Sequence, residues 1–325
     1  MRAAMLHEYG PPENLRVEEV PDPVPGPDQV VIDVHACGVN FPDVLMIQDL
    51  YQFKPGLPFA PGGEVSGTVS AVGPDVDGIS VGDRVAASCG SGGFAEKAVA
   101  NTASVLPVPD GVDLTVASAV ITTYGTSYYA LRDRAKLREG ESLLVLGAAG
   151  GVGLATVELG AAMGAGDVIA AASSEEKLAV CREHGATSTV DYTTTDLKAW
   201  LKEHTSGRGV DVVYDPVGGD LAEPALRSMA WEGRYLVIGF AAGDIPRIPL
   251  NLPLLKGCSV VGVFWGSYAA REPDANTAMI GELFGMIADG RVHPRVSATF
   301  DLDHATEALR ELMDRKVIGK AVVTP

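Results

Sequence analysis

The sequence predicts an α/β protein in which a doubly wound, six-stranded parallel sheet is joined to a β-rich domain of irregular, barrel-like character. Three observations point there. Six short apolar runs between about 141 and 265 (ESLLVLG, DVIAAAS, TVDY, DVVYDPVG, RYLVIGF and SVVGVFW) have helical patterns between several of them, such as EEKLAVCREHGA and DLKAWLKEHT. Strands alternating with helices imply βαβ units and hence a parallel sheet. From about 29 to 105 the texture is instead short and β-like, broken by Gly and Pro-Gly turns. Finally, a nearly side-chain-free octet, LGAAGGVG (146–153), stands between the first apolar run and the helical pattern LATVELGAAMGA.

Taken in order, VVIDVHACGVN alternates as a half-buried strand does, and EVSGTVSAVG and VGDRVAAS are strands interrupted by Gly. Helical spacing begins at LTVASAVITTYGTSYYALRDRA, after which the six strand candidates follow. A helical stretch, ANTAMIGELFGMIADG, then leads into a tail that reads strand, helix, strand and fits best as a return to the first domain. The expected division is therefore 1–122 for the first part of the β-rich domain, 123–266 for the parallel-sheet domain, and 267–325 for the helix and the return.

Composition narrows the function class. The net charge of −17 over 325 residues repels phosphate backbones and anionic lipid, which argues against nucleic acid and membrane as partners. No apolar run approaches the roughly 18 residues of a membrane span, and MRAAMLHEYG has no apolar core of signal-peptide length. Cys37, Cys89, Cys181 and Cys258 are dispersed without a CxxC, and the histidines form no HxH or HExxH. A cytoplasmic protein without a disulfide framework or a bound metal is expected.

The octet gives Ala148-x-Gly150-x-x-Gly153. The middle glycine lets backbone approach a pyrophosphate, the last lets the helix pack tightly on the sheet, and the N–H groups at the helix start, around Ala149, Gly150, Gly151 and Val152, receive the phosphates. A strand before, a helix after and a second strand at the right distance supply the context of a dinucleotide site. NAD binders place an acid at the end of that second strand. Here Ala172 is followed by Ser173, Ser174 and Lys177, two hydroxyls and an ammonium that suit a 2′-phosphate. NADPH is therefore the expected cofactor, with Lys177 as a solvated helix residue beside Glu175 and Glu176 as the alternative.

PGLPFAPGGEVSGTVSAVGPDVDGISVGDRV (55–85), ACGVNFPDVLMIQDLY (36–51), GFAEKAV (93–99), the glycine octet and the closing IGKAVV resemble the medium-chain dehydrogenase/reductase superfamily. Within it the chain is most similar to the zinc-free NADPH:quinone oxidoreductases, the ζ-crystallin-like group. The resemblance spans the whole chain and implies a GroES-like substrate domain and a Rossmann cofactor domain. The zinc-dependent members carry a His before the Glu of PGHE and a Cys in the GxC segment; here Gly63 and Asn40 stand there, leaving Glu64 alone.

Without a Lewis acid to polarise a carbonyl, hydride would go to electron-poor acceptors such as quinones, enones and enoyl thioesters. The resemblance implies that Asn40 and Tyr51 face the nicotinamide, and that Tyr51 is the proton donor if the acceptor is an enoyl thioester. Asp43 more naturally fixes the segment. The resemblance also places Thr126 near the nicotinamide, Tyr192 near the adenosine, and Gly239, Phe240, Val263, Phe264 and Trp265 along the nicotinamide half. SVVGVFW would pair with its twin across a two-fold axis in a homodimer. The reading is an NADPH-dependent quinone or enone reductase. An enoyl thioester reductase, and a non-catalytic NADPH-binding sensor or structural protein, are the alternatives.

Overall fold

The computed structural model describes residues 1–325. Contact density divides it into two compact units, Met1–Thr122 with Arg271–Gly290 and Pro294–Pro325, and Thr123–Ala270 with Arg291–His293.

The first unit is built on a seven-stranded sheet. Its order is Val296–Asp301, Lys320–Thr324, Gln29–Gly38, Glu64–Val72, Arg84–Ser88 and Val105–Pro107, with Lys97–Asn101 also paired to Gln29–Gly38. Period-two patterning explains the long central strand: Asp33 and His35 face solvent while Ile32, Val34 and Ala36 are buried. The C-terminal strand joins it antiparallel through Val322–Gly38 and Val323–Cys37, so the last strand of the sequence lies beside one from its first forty residues. Directly after Gly38 the chain turns into the helix Phe41–Ile47, which buries Val44, Met46 and Ile47 against the same core.

All six strands of the second unit are parallel, in the order Ser188–Asp191, Asp167–Ala172, Ser142–Leu146, Val210–Asp215, Met229–Val237 and Ser259–Gly262. The order reverses beside Ser142–Leu146, the switch point at which ligands bind in doubly wound sheets. That strand, SLLVL, is buried along its whole length, as a central strand with both faces covered must be. The helix Gly151–Ala162 follows and buries every residue from Gly153 to Gly160. Side chains close the next helices: Ser174 accepts from the Lys177 N–H and Asp196 from the Ala199 N–H.

Two sequence expectations are adjusted. The run SVVGVFW is a strand only over Ser259–Gly262, and Trp265 already opens the helix Trp265–Arg271. The neighbouring strand ends at Val237, whose carbonyl takes the Val263 N–H; beyond that the chain has no ladder partner. The helical stretch from 114 is broken into Leu114–Ala117 and Ile121–Tyr129, with the Ser118 hydroxyl donating to the Thr115 carbonyl at the break. No helix is long and apolar enough to cross a membrane.

Candidate functional site

The glycine octet shows why its composition is fixed. The left-handed conformation falls on Gly147 (φ +58°), not on Ala148, so alanine in the first motif position carries no backbone strain. Ala148 then donates to the Ala171 carbonyl (3.0 Å) and Gly150 to the Gly147 carbonyl (3.1 Å). A Cβ on Gly153 would overlap the Gly147 carbonyl oxygen and lie 2.9 Å from Ala148 Cα, whereas one on Gly150 would meet only the Gly147 oxygen, at 3.5 Å. Gly153 is thus a packing glycine, and the space over Gly150 is not taken by this chain. Beside it lie the first-turn N–H groups of a 12-residue helix, which have no intrahelical acceptors. The loop fits a pyrophosphate.

At the end of the next strand, Ser173, Ser174 and Lys177 form one group. Lys177 Nζ donates to Ser173 Oγ (3.3 Å) and the Ser174 hydroxyl accepts the Lys177 N–H (3.4 Å). Glu175 is turned to Arg182 instead. The donor set, two hydroxyls and an ammonium with no carboxylate at the strand end, fits a 2′-phosphate. Tyr192 follows its strand and donates its N–H to the Ala172 carbonyl (3.2 Å). Gly239 and Phe240 follow Met229–Val237, and Val263, Phe264 and Trp265 follow Ser259–Gly262. All of these positions fall at the carboxyl edge of one sheet. Thr126 lies on the helix Ile121–Tyr129, whose next residue, Ser127, donates to the Val152 carbonyl (3.0 Å) and so ties this helix to the glycine loop.

Sequence reasoning missed Asp215 at the same edge. It is 3% exposed, accepts the Val217 and Gly218 N–H groups at 2.8 Å each, and takes the Tyr235 hydroxyl on its other oxygen. Burial and the Asp215 charge push the Tyr235 phenol above its ordinary range. The signal available was a carboxylate directly after the apolar run VVY, before the turn PVGG.

In the first unit, Asn40, Asp43 and Glu64 come together around a residue sequence reasoning passed over, Lys320. Asn40 Nδ2 donates to Glu64 Oε2 (2.9 Å) and to the Gly38 carbonyl (3.2 Å), while Asn40 Oδ1 accepts from Lys320 Nζ (2.6 Å). Asn40, the residue expected to face the nicotinamide, has both amide hydrogens engaged with a buried carboxylate and a carbonyl, which need them. Lys320 Nζ also donates to the Val39 carbonyl (2.9 Å) and lies 3.8 Å from Glu64 Oε2. Glu64 Oε1 accepts the Thr122 N–H (3.1 Å). Asp43 accepts the Asn40 N–H (2.7 Å) and the Gly62 N–H (3.2 Å), which is the segment-fixing role expected of it.

Burial lifts the Asp43 carboxyl to about 6, its N–H donors and the Lys320 ammonium opposing the rise. Desolvation lowers Lys320 from its ordinary value. Tyr51 is half-buried and packed on the same core, and its phenol is held above the ordinary value by burial and then by the Asp43 charge. At neutral pH it is a protonated donor. No group of three or more His, Cys, Asp or Glu side chains is placed to hold a metal ion.

Both units have counterparts among known proteins. Residues 26–110 match the alcohol dehydrogenase GroES-like domain and residues 151–280 the zinc-binding dehydrogenase model. A quinone oxidoreductase-like protein 2 homolog of Nematostella vectensis is 41% identical over 328 residues, covering 99% of this chain and 88% of that protein. The chain belongs to the quinone oxidoreductase family of medium-chain dehydrogenases/reductases. Within this family, the Escherichia coli quinone oxidoreductase, solved with NADPH, superposes with a TM-score of 0.93 at 28% identity, with both chains fully covered. A mycobacterial protein solved with NADPH gives 0.93 at 32% identity, again with full coverage of both. The fold expected from the sequence, a GroES-like domain and a Rossmann sheet, is that of the quinone oxidoreductases.

Proposed function

We propose that this quinone oxidoreductase relative is an NADPH-dependent reductase that passes hydride to quinones and other conjugated carbonyl acceptors without a metal. The observation that carries the reading is the buried group of Asn40, Glu64 and Lys320. Its oxygens are already satisfied by the chain's own ammonium and amide, and no metal donor set remains. A substrate whose carbonyl is not polarised by a Lewis acid accepts hydride most readily when it is electron-poor from the start.

Bound NADPH supplies the hydride. The loop of Ala149, Gly150, Gly151 and Val152 takes its pyrophosphate; Ser173, Ser174 and Lys177 take the 2′-phosphate; and Tyr192 flanks the adenosine. Thr126, Gly239, Phe240, Val263, Phe264 and Trp265 shape the nicotinamide end. Tyr51 holds the proton that meets the oxyanion formed on the acceptor. Asn40 supports this floor through Glu64 and Lys320 rather than by touching the reacting atoms.

Tyr51, a half-buried phenol that stays protonated at neutral pH, also suits a second reading, an enoyl thioester reductase, because the enolate left after hydride addition must be protonated at carbon, whereas a hydroquinone anion can take its proton from water. One experiment separates them: NADPH consumption with 1,4-naphthoquinone and with crotonyl-CoA, for wild type and Tyr51→Phe. Quinone turnover with NADPH preferred over NADH by roughly 10–100-fold is expected, the worth of charge-assisted hydrogen bonds of about 1.5–3 kcal/mol. Thioester turnover that drops about 100-fold in Tyr51→Phe would move the protein to the second reading. Silence with both acceptors despite NADPH binding would leave a non-catalytic NADPH-binding protein.

A homodimer through the edge strand Ser259–Gly262 completes the proposal. This strand has a sheet neighbour on one side only, and Val260, Phe264, Trp231, Leu254 and Leu255 are 50–78% exposed around it. An unprotected apolar edge is a template for a second strand. Sedimentation is expected to give a dimer for wild type and a monomer for Val260→Asp combined with Leu254→Asp; a monomeric wild type discards the assembly.

A further inference from the structure

Lys320 opens the C-terminal strand, whose next three residues are buried and apolar. A lysine in such a place ordinarily carries its head out to water along its own stem. Here the residue is 4% exposed and its head is drawn into the domain, where three oxygens from two distant parts of the chain converge on it. These are Asn40 Oδ1 at 2.6 Å, the Val39 carbonyl at 2.9 Å and Glu64 Oε2 at 3.8 Å.

The consequence is orientational. With Oδ1 turned to the ammonium, the Asn40 amide must present its NH2 to Glu64 and Gly38. Rotated the other way, it would set NH2 against an ammonium and an oxygen against a carboxylate. Asn40 begins the helix Phe41–Ile47, and Asp43 in that helix closes back on the Asn40 N–H. Four residues beyond the helix stands Tyr51. The ammonium therefore holds the start of the segment whose end carries the phenol.

We propose that Lys320 is a positioning residue of the reductase: its ammonium does here what a bound cation would do, gathering Val39, Asn40 and Glu64 into the one arrangement from which Tyr51 is presented. This rests on the function proposed above. The role is one of charge, not of bulk, and that distinction is measurable. Lys320→Met keeps most of the stem and removes the charge; Lys320→Ala leaves a space that propylammonium, three carbons and a nitrogen, refills.

Both variants are expected to bind NADPH with wild-type KM and to lose about 100-fold in kcat with naphthoquinone, the usual cost of a misplaced reacting group. Lys320→Arg, which keeps a cation, is expected to retain more activity than Lys320→Met. In Lys320→Ala, propylammonium should restore kcat with saturation and raise Tm, and 1-propanol should do neither. Wild-type kcat in Lys320→Met, or equal rescue of Lys320→Ala by amine and alcohol, would overturn the proposal. If Lys320→Ala folds only with the amine, the proposal stands; if it fails to fold even then, or folds equally with the alcohol, it falls. A wild type that reduces no quinone or enone would sink the proposed activity instead, and Lys320 would be judged by the amine-dependent rise in Tm alone.

Discussion

Gly153→Val is expected to unfold the start of the Gly151–Ala162 helix and to abolish NADPH binding. The atoms a side chain would meet there are backbone: a Cβ overlaps the Gly147 carbonyl oxygen and sits 2.9 Å from Ala148 Cα. Backbone of a loop closed by the Ala148–Ala171 and Gly150–Gly147 hydrogen bonds cannot swing aside as a flexible side chain can. Overpacking ordinarily costs about 1–3 kcal/mol, and the added γ-methyls put this case at the upper end. Gly150→Ala supplies the contrast. Its Cβ meets nothing closer than 3.5 Å, so the fold should hold while the methyl stands where the pyrophosphate must pass. Thermal denaturation and NADPH fluorescence titration read the two effects separately. A wild-type Tm in Gly153→Val, or a large loss of Tm in Gly150→Ala, would show that the packing and binding glycines have been assigned the wrong way round.

The cofactor half of the protein was legible because its information is local. Glycine spacing, the strand before it and the hydroxyl–hydroxyl–ammonium group at 173–177 all lie within a single βαβ unit, and periodicity reports on such units directly. Lys320 was not legible. Its meaning depends on the pairing of Val322 with Gly38, a register between residues far apart in the sequence that no local pattern encodes. A lysine heading an apolar strand was the visible anomaly, and on its own it reads as an edge residue. Asn40 was visible as a departure from the zinc-dependent pattern, but its partners Glu64 and Lys320 were not, because they are brought to it by strand pairing and not by local spacing. The end of SVVGVFW failed for a third reason: an apolar run cannot tell where its sheet neighbour stops, and Val237 stops it.

Glu64→Gln is expected to cost about 3–5 kcal/mol, as breaking one member of a buried ion pair does. Glu64 is fully buried, and its two oxygens accept from Asn40 Nδ2 and the Thr122 N–H. Glutamine keeps the shape but offers one oxygen and one NH2, so one of those donors must face another donor. At the same time the Lys320 ammonium, 3.8 Å away, loses its counter-charge in a place water does not reach. A second feature identifies the cause. Asp43 is raised by burial from 3.8 to about 6, and the Glu64 charge contributes to that rise. A carboxyl whose folded value lies above its unfolded one contributes stability that is complete below about 4 and lost as pH climbs through about 6. In wild type, Asp43 should therefore make stability fall across that window. In Glu64→Gln the neighbouring negative charge is gone, Asp43 ionises more easily, and its part of the fall should move to lower pH. Urea unfolding of both proteins across pH 4 to 7 tests the pair of statements. A loss under about 1 kcal/mol in the variant would mean that the ion pair is dispensable, and an unmoved pH window would mean that Asp43 and Glu64 do not share one field.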